Sequence, residues 1–136
     1  MQETKALLDI TITAALTAEI SGAAIAFDIG RVEALTLYAN FDYGSGGTDA
    51  KAWVQTSLDG GSTWVDIASF AFTTADAKRM YNLTAIAVTA IATPGDGALA
   101  DNTSVNGFLG ALYRVKVTTT GTYAGATTFK IYGTPK

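Results

Sequence analysis

The chain contains no histidine and no cysteine. Without histidine, a Ser–His nucleophilic pair and a zinc site of the usual imidazole type are excluded. Without cysteine, disulfides and thiolate metal ligands are excluded as well. The lack of cysteine leaves the compartment open, because β-rich domains fold without disulfides in reducing and oxidising surroundings alike. Any catalysis would therefore have to depend on carboxylates.

Charged residues are scarce, at 15% of the 136 residues, whereas soluble domains usually have about a quarter. The nine basic residues are scattered and the net charge is −3, so nucleic acid, which selects clustered cations, is disfavoured as a partner. The mean hydropathy is positive, at +0.25. This combination favours a surface covered by a partner or by further copies of the chain. The alternative is that Thr and Ala replace Lys and Glu on an ordinary surface.

Long apolar runs are missing too. No stretch approaches the ~20 apolar residues of a membrane span, and no long apolar core follows residues 1–5 as it would in a secretory signal. We therefore expect no membrane partner, and synthesis in a cytoplasm that the chain leaves, if at all, as part of an assembly. The length suits one domain covering residues 1–136.

Alternation of apolar and polar residues with a period of two predicts β-strands along most of the chain. The clearest strand covers residues 35–43. The other predicted strands cover residues 8–13, 25–29, 52–57, 64–72, 80–93, 113–118 and 129–131. Helical patterns are confined to residues 14–24 and to a short turn at residues 74–79. About eight strands predict an all-β fold, a single-domain antiparallel β-sandwich or jelly roll.

The N-terminal segment has two interpretations. Residues 1–12 can pair within their own sheet, or they can add a strand to the sheet edge of a neighbouring molecule, with residues 1–6 as a free arm. The sequence does not distinguish the two.

Carboxylate chemistry, such as glycoside hydrolysis, needs two carboxyl groups about 5 to 9.5 Å apart. The candidates are Asp42, Asp49, Asp59, Asp66, Asp96 and Asp101. Most of them lie beside Gly, Asn or Thr in predicted turns, where aspartate binds its own backbone. Because no pair stands out, we assign no catalytic residue and no cofactor, and we predict that the protein is not an enzyme.

Two loops resemble ion sites superficially. Asp96, Asp101 and Asn102 offer oxygen ligands for calcium, but their spacing does not match the EF-hand loop. The glycines of residues 44–47 lack the Lys, the Ser or Thr and the helix that follow in a phosphate-binding loop. The sequence therefore predicts neither a metal site nor a phosphate site.

Residues 57–64 resemble the Asp-box hairpin, whose pattern is Ser-x-Asp-x-Gly-x-Thr-Trp. All five defining positions match, namely Ser57, Asp59, Gly61, Thr63 and Trp64. We expect the Asp59 carboxylate to accept N–H groups across the turn, Gly61 to take a positive φ and Trp64 to lie in the core. In sialidases and related propellers the motif recurs once per blade, away from the catalytic pocket. A single copy in a short chain thus predicts a hairpin and not sialidase activity.

The order of motifs between residues 30 and 132 resembles small proteins encoded among the virion genes of tailed bacteriophages and prophages. The motifs lie at residues 43–48, 53–57 leading into the Asp-box, 66–68, 70–74, 96–103, 114–116 and 121–125. The resemblance implies a structural virion protein, such as a capsid decoration or cementing protein, a head-vertex component, or a head-fibre or neck protein. It also implies a homo-oligomer, with a trimer favoured, that is made in the host bacterial cytoplasm and binds the major capsid protein.

The alternative function is a carbohydrate-binding or adhesion module of a tail or head fibre. Tyr38, Trp53 and Tyr132 lie on strand faces opposite aliphatic neighbours, where their rings would stack on sugars. In a two-sheet fold, however, tryptophans also serve as core residues.

Overall fold

A computed structural model describes residues 3–136, which form ten strands. The strands are β1 (Lys5–Thr11), β2 (Glu19–Ile20), β3 (Ala34–Asp42), β4 (Ser45–Gly46), β5 (Asp49–Ser57), β6 (Val65–Phe72), β7 (Ala77–Thr84), β8 (Leu112–Thr120), β9 (Tyr123–Ala124) and β10 (Thr128–Pro135). Residues 3–136 contain no helix, so the prediction of an all-β fold is confirmed. The described chain has no helix long and apolar enough to cross a membrane.

Eight of the strands form two antiparallel four-stranded sheets. Sheet A has the order β1-β10-β3-β7 and sheet B the order β2-β8-β5-β6, while β4 and β9 form a separate two-residue pair. The chain passes repeatedly from one sheet to the other, and this strand order is that of a jelly roll. The predicted sandwich of about eight strands is therefore confirmed.

The core lies between the two sheets. Leu35, Leu37 and Phe41 alternate along β3 with more exposed residues and are completely buried. At one end of the sandwich the Phe41 ring lies 5.1 Å from that of Phe72 and 5.5 Å from that of Phe129, measured between ring centroids. Because Phe72 belongs to sheet B and the other two to sheet A, this aromatic cluster joins the sheets.

The prediction of a strand at residues 25–29 is wrong. Ile25 makes an isolated bridge with Tyr113, and Phe27 is buried against the Tyr113 ring, but the segment joins no sheet. Beyond the Ile25 bridge, side chains bind the backbone of this segment. Lys5 Nζ donates to the Ala26 carbonyl, and the Asp28 N–H donates to the Glu3 carboxylate.

The helical predictions are wrong as well. In residues 14–24, Ala18 has a φ of +46°, which interrupts a helix, and Glu19 and Ile20 pair with β8. The second predicted helical stretch, residues 74–79, overlaps β7, which begins at Ala77. Asp76 accepts a hydrogen bond from the Tyr43 N–H at 2.7 Å, so its carboxylate serves the neighbouring loop and does not cap a helix.

The strand predicted at residues 80–93 is shorter than expected and begins earlier. β7 ends at Thr84 because its partner β3 begins at Ala34, the residue opposite Thr84. Beyond this point the Ala85 N–H still donates to the Glu33 carbonyl, and then the chain leaves the sheet.

The N-terminal strand pairs within its own chain. β1 lies antiparallel to β10, with a register shift between Ala6 and Leu8, and the hydroxyls of Thr4 and Thr134 are 2.7 Å apart. Of the predicted arm, residues 3–6 contact their own chain, whereas Met1 and Gln2 lie outside the described residues.

Candidate functional site

The Asp-box residues form a hydrogen-bonded hairpin between β5 and β6. Asp59 Oδ1 accepts the Thr63 N–H at 2.8 Å, and Asp59 Oδ2 accepts the Thr63 hydroxyl at 2.6 Å. Ser57 Oγ donates to Asp59 Oδ1 at 2.9 Å and accepts the Gly61 N–H at 2.7 Å. Gly61 has a φ of +101°, which favours glycine at this position. These bonds all stabilise the turn.

The hairpin carboxylate is held in its ionised form. The hydroxyl and N–H of Thr63, followed by the Ser57 hydroxyl, lower the pKa of Asp59 to about 2. Trp64 does not lie in the core as predicted. It is half-buried, and the guanidinium carbon of Arg114 lies 4.5 Å from its ring centroid. A cation over a tryptophan face fixes the ring on the outer face of sheet B.

Asp66 binds the long loop between β7 and β8, residues 85–111. Its buried carboxylate accepts the N–H groups of Gly97 at 2.8 Å, Ala98 at 2.8 Å and Leu99 at 3.0 Å. Gln55 Nε2 donates to Asp66 Oδ1 at 2.8 Å. With these donors in place, the acceptor positions of Asp66 are filled by the protein itself. Its role here is to hold the loop.

Asp96 lies beside Asp66 and binds the cations of β8. Gln55 Nε2 donates to Asp96 Oδ1 at 2.6 Å as well as to Asp66, so the structure brings these two carboxylates together. Lys116 Nζ lies 2.6 Å and an Arg114 nitrogen 3.6 Å from Asp96 Oδ1. The hydrogen bond from Lys116 is the main cause that lowers the pKa of Asp96.

The residues considered for calcium do not share a site. Asp96 binds Lys116, Asp101 pairs with Lys51 at 3.1 Å, and the Asn102 side chain accepts the Ala71 N–H at 3.0 Å. Among residues 3–136, no group of three or more acidic residues could hold a metal ion. Each oxygen-bearing side chain instead fixes part of the loop against sheet B.

The remaining acidic candidates are dispersed. Asp42 Oδ2 lies 3.4 Å from the Thr128 hydroxyl on the outer face of sheet A, and Asp49 is half-buried at the start of β5. The glycine turn at residues 44–47 packs against backbone, since a β-carbon at Gly44 would overlap the Gly125 carbonyl oxygen. The Gly44 N–H donates to the Thr127 hydroxyl at 2.9 Å, so this turn is fixed within the fold.

A cavity of about 560 Å³ lies between the long loop and the end of the Asp-box hairpin. We call it the loop cavity. Most of its lining is apolar, and the lining residues are Leu58, Val65, Asp66, Ala92, Thr93, Pro94, Gly95, Ala98, Leu99, Ala100, Val105 and Phe108. Such an apolar concavity suits aliphatic groups more than charged ligands.

The first part of the long loop is apolar and exposed. We call residues 85–93 the apolar segment, because they contain no charged residue. Ile86 is 82% exposed, and Val88 and Ile91 are fully exposed. The Thr89 hydroxyl donates to the Asn106 carbonyl at 3.2 Å, and two later residues of the segment, Ala92 and Thr93, line the loop cavity. Exposed aliphatic side chains in such a cluster are typical of contact surfaces.

The outer face of sheet A carries a row of large side chains. Tyr132, Tyr38 and Met80 are register partners on β10, β3 and β7. The two tyrosine rings have centroids 6.4 Å apart and planes inclined by 19°. Both tyrosines are half-buried, and Met80 is exposed. Trp53, the third aromatic candidate, lies on sheet B and donates its indole N–H to the Leu99 carbonyl at 3.0 Å, so it supports the loop.

Sequence reasoning missed the contact between Gln55, Asp66 and the long loop. A polar Gln55 between Val54 and Thr56 indicates an outward position on a strand, but nothing local indicates that a loop covers it.

The chain matches no protein-family model, no curated protein and no solved structure.

Proposed function

We propose that the protein is a non-enzymatic structural component of a tailed-phage virion, with capsid decoration or cementing, or a head-vertex position, as its role. The observation that carries this proposal is the apolar segment. Val88 and Ile91 are fully exposed on a chain that has few charges, and such a surface suits contact with another protein.

The energetic reason is the cost of exposed aliphatic surface. Burying one Val or Ile side chain contributes about 1.5–3 kcal/mol. A decoration protein makes many equivalent contacts on a repeating lattice, so modest individual contacts suffice for stable attachment. The protein's partners in this role are other copies of itself, with a trimer favoured, and the major capsid protein.

Fold and motif order support the same role. The jelly-roll strand order is common among viral capsid proteins and lectins, although a fold alone assigns no function. The phage assignment depends on the resemblance of residues 30–132 to small virion proteins.

The test is to purify the particles of the phage or prophage that encodes the protein, with the gene intact and with it deleted. We expect the protein in the intact particles, at many copies in a symmetric arrangement visible by electron cryomicroscopy. Added back to deletion particles, the wild type should bind and Val88→Asp should bind at least tenfold more weakly. Ile20→Asp changes a partly exposed apolar residue on β2 and serves as the control. Absence from the intact particles would refute the proposal.

A second candidate function is carbohydrate binding on the outer face of sheet A. The nearly parallel rings of Tyr38 and Tyr132 favour it, because aromatic rings stack on sugar faces. Threonines lie beside them at positions 36 and 134 and offer hydroxyls. A glycan array probed with the oligomer should then give a signal that Tyr38→Ala abolishes. An array without hits removes this function.

A further inference from the structure

We propose that the apolar segment of one copy inserts Val88 and Ile91 into the loop cavity of a second copy. This inference rests on the proposed function, and it identifies the partner of the apolar segment as the protein itself. The juxtaposition of an exposed apolar segment and an apolar cavity on one face of the molecule carries it.

The side chains that insert are exposed to solvent in the single chain. Val88 and Ile91 are fully exposed, and Ile86 nearly so, and all three belong to one run of residues outside the sheets. From Met80 to Gly95 the chain has no charged residue. Nothing in this run would have to lose a hydrated charge on association, which removes the largest cost of burial.

The receiving cavity has a matching size and chemistry. Its volume of about 560 Å³ exceeds that of an aliphatic side chain several times, and Leu58, Val65, Val105 and Phe108 provide apolar walls. Leu58 itself is 59% exposed at the end of the hairpin, so the cavity rim also presents apolar surface. Val88 and Ile91 cannot fill the cavity of their own copy as the loop is folded, because both point into solvent.

The charge distribution allows a second copy to be the occupant. Each copy carries a net charge of −3, so two copies approach most easily where neither places a charge. The apolar segment and most of the cavity lining meet this condition. Lys51, Arg114 and Lys116, which would attract an acidic partner, are instead paired with Asp101 and Asp96.

The interface must bury more surface than the inserted side chains alone provide. A stable interface buries about 800 Å² per partner, which is more than three aliphatic side chains supply. The rim therefore takes part, with Leu58 and Pro94 on the cavity side and Ile86 on the side of the apolar segment. Because the segment and the cavity are neighbours, each copy can donate and receive at once in a closed ring or a two-fold pair.

Because the chain has no cysteine, single cysteines can be introduced to test the contact by disulfide cross-linking. Val88→Cys and Leu58→Cys are prepared as separate chains of different size and are mixed under mild oxidation. We expect a disulfide between the two different chains, at least tenfold faster than in a mixture of Ile20→Cys with Leu58→Cys. Val88 is fully exposed, Leu58 is 59% and Ile20 37% exposed, and none belongs to the core, so the cysteine variants should fold like the wild type.

The oligomeric state provides the second measurement. By light scattering and sedimentation the wild type should be an oligomer, and Val88→Asp with Ile91→Asp should raise the dissociation constant at least about 100-fold. Ile20→Asp should leave it unchanged, and the melting temperature of the separated variant monomer reports its folding. A wild type that stays monomeric at millimolar concentration, or a cross-link no faster than the control, overturns the inference. A monomer that still binds particles would overturn self-association alone, whereas an oligomer absent from the particles would refute the virion role alone.

Discussion

Asp59 and Asp66 both accept backbone N–H groups, but their surroundings differ. Asp59 binds Thr63 within its own hairpin and is exposed, while Asp66 is buried and binds amides of the long loop. The first aspartate stabilises a local turn. The second connects two distant parts of the chain, so we expect its loss to have the larger effect.

Stability should fall in acid partly because of Asp59. Its pKa is lowered from 3.8 to about 2 by the Thr63 and Ser57 hydrogen bonds. A lowered folded-state pKa adds stability that is fully present above the unfolded pKa near 4 and is lost as the pH falls toward 2. We expect Asp59→Asn to flatten the melting temperature between pH 4 and pH 2, as measured by circular dichroism. An unchanged acid slope in this variant would contradict the assignment.

Asp66→Ala should destabilise the fold by about 3 kcal/mol, because it leaves the N–H groups of Gly97, Ala98 and Leu99 without their acceptor. Chemical denaturation measures the free energy of unfolding. The matched control is Asp101→Ala, which removes an exposed pair with Lys51 and should cost about 1 kcal/mol or less. Equal losses in the two variants would argue against the loop-holding role of Asp66.

At the scale of elements, the sequence predicted the strands and the hairpin that contacts between near neighbours in the chain determine. The alternation of Leu35 and Leu37 reflects burial on one face of β3, and the Asp-box bonds join residues no more than four positions apart. The same alternation misled at residues 25–29, where Lys5 and Glu3 bind the backbone. Asp66 and Leu99 are 33 positions apart, and no short-range signal joins them.

The outer edge of β7 gives an element-scale prediction. Thr84 donates its N–H to the Asn106 side chain and accepts the Gly107 N–H, so its backbone groups point away from β3. Antiparallel pairing alternates, so the backbone groups of Met80 and Asn82 also point to this edge.

Hydrogen exchange should therefore alternate along β7. In the free chain we expect the amides of Met80 and Asn82 to exchange at least about tenfold faster than those of Tyr81 and Leu83, which are bound to β3. Nuclear magnetic resonance resolves the individual amides. Uniform rates along β7 would show that this edge is covered.

At the scale of the whole molecule, the aromatic cluster should control the stability of both sheets together. Phe41 is completely buried and its ring packs against rings from β6, β9 and β10. Phe41→Ala should cost about 3–5 kcal/mol of unfolding free energy. Tyr38→Ala lies on the outer face of the same strand and is the control, with a smaller expected loss. A single unfolding transition in both variants would show that the sheets unfold as one unit.

The position of β10 has a consequence for synthesis on the ribosome. β10 separates β1 from β3 in sheet A, so residues 5–11 find their neighbour only after residues 128–135 have emerged. A nascent polypeptide stalled before that point carries Leu7 and Leu8 without the strand that buries them. Sheet A is thus completed only after β10 has been translated, although β3 and β7 can pair earlier. In the interval, chaperones that bind unfolded chains would have an exposed apolar target at the N-terminal end of the chain.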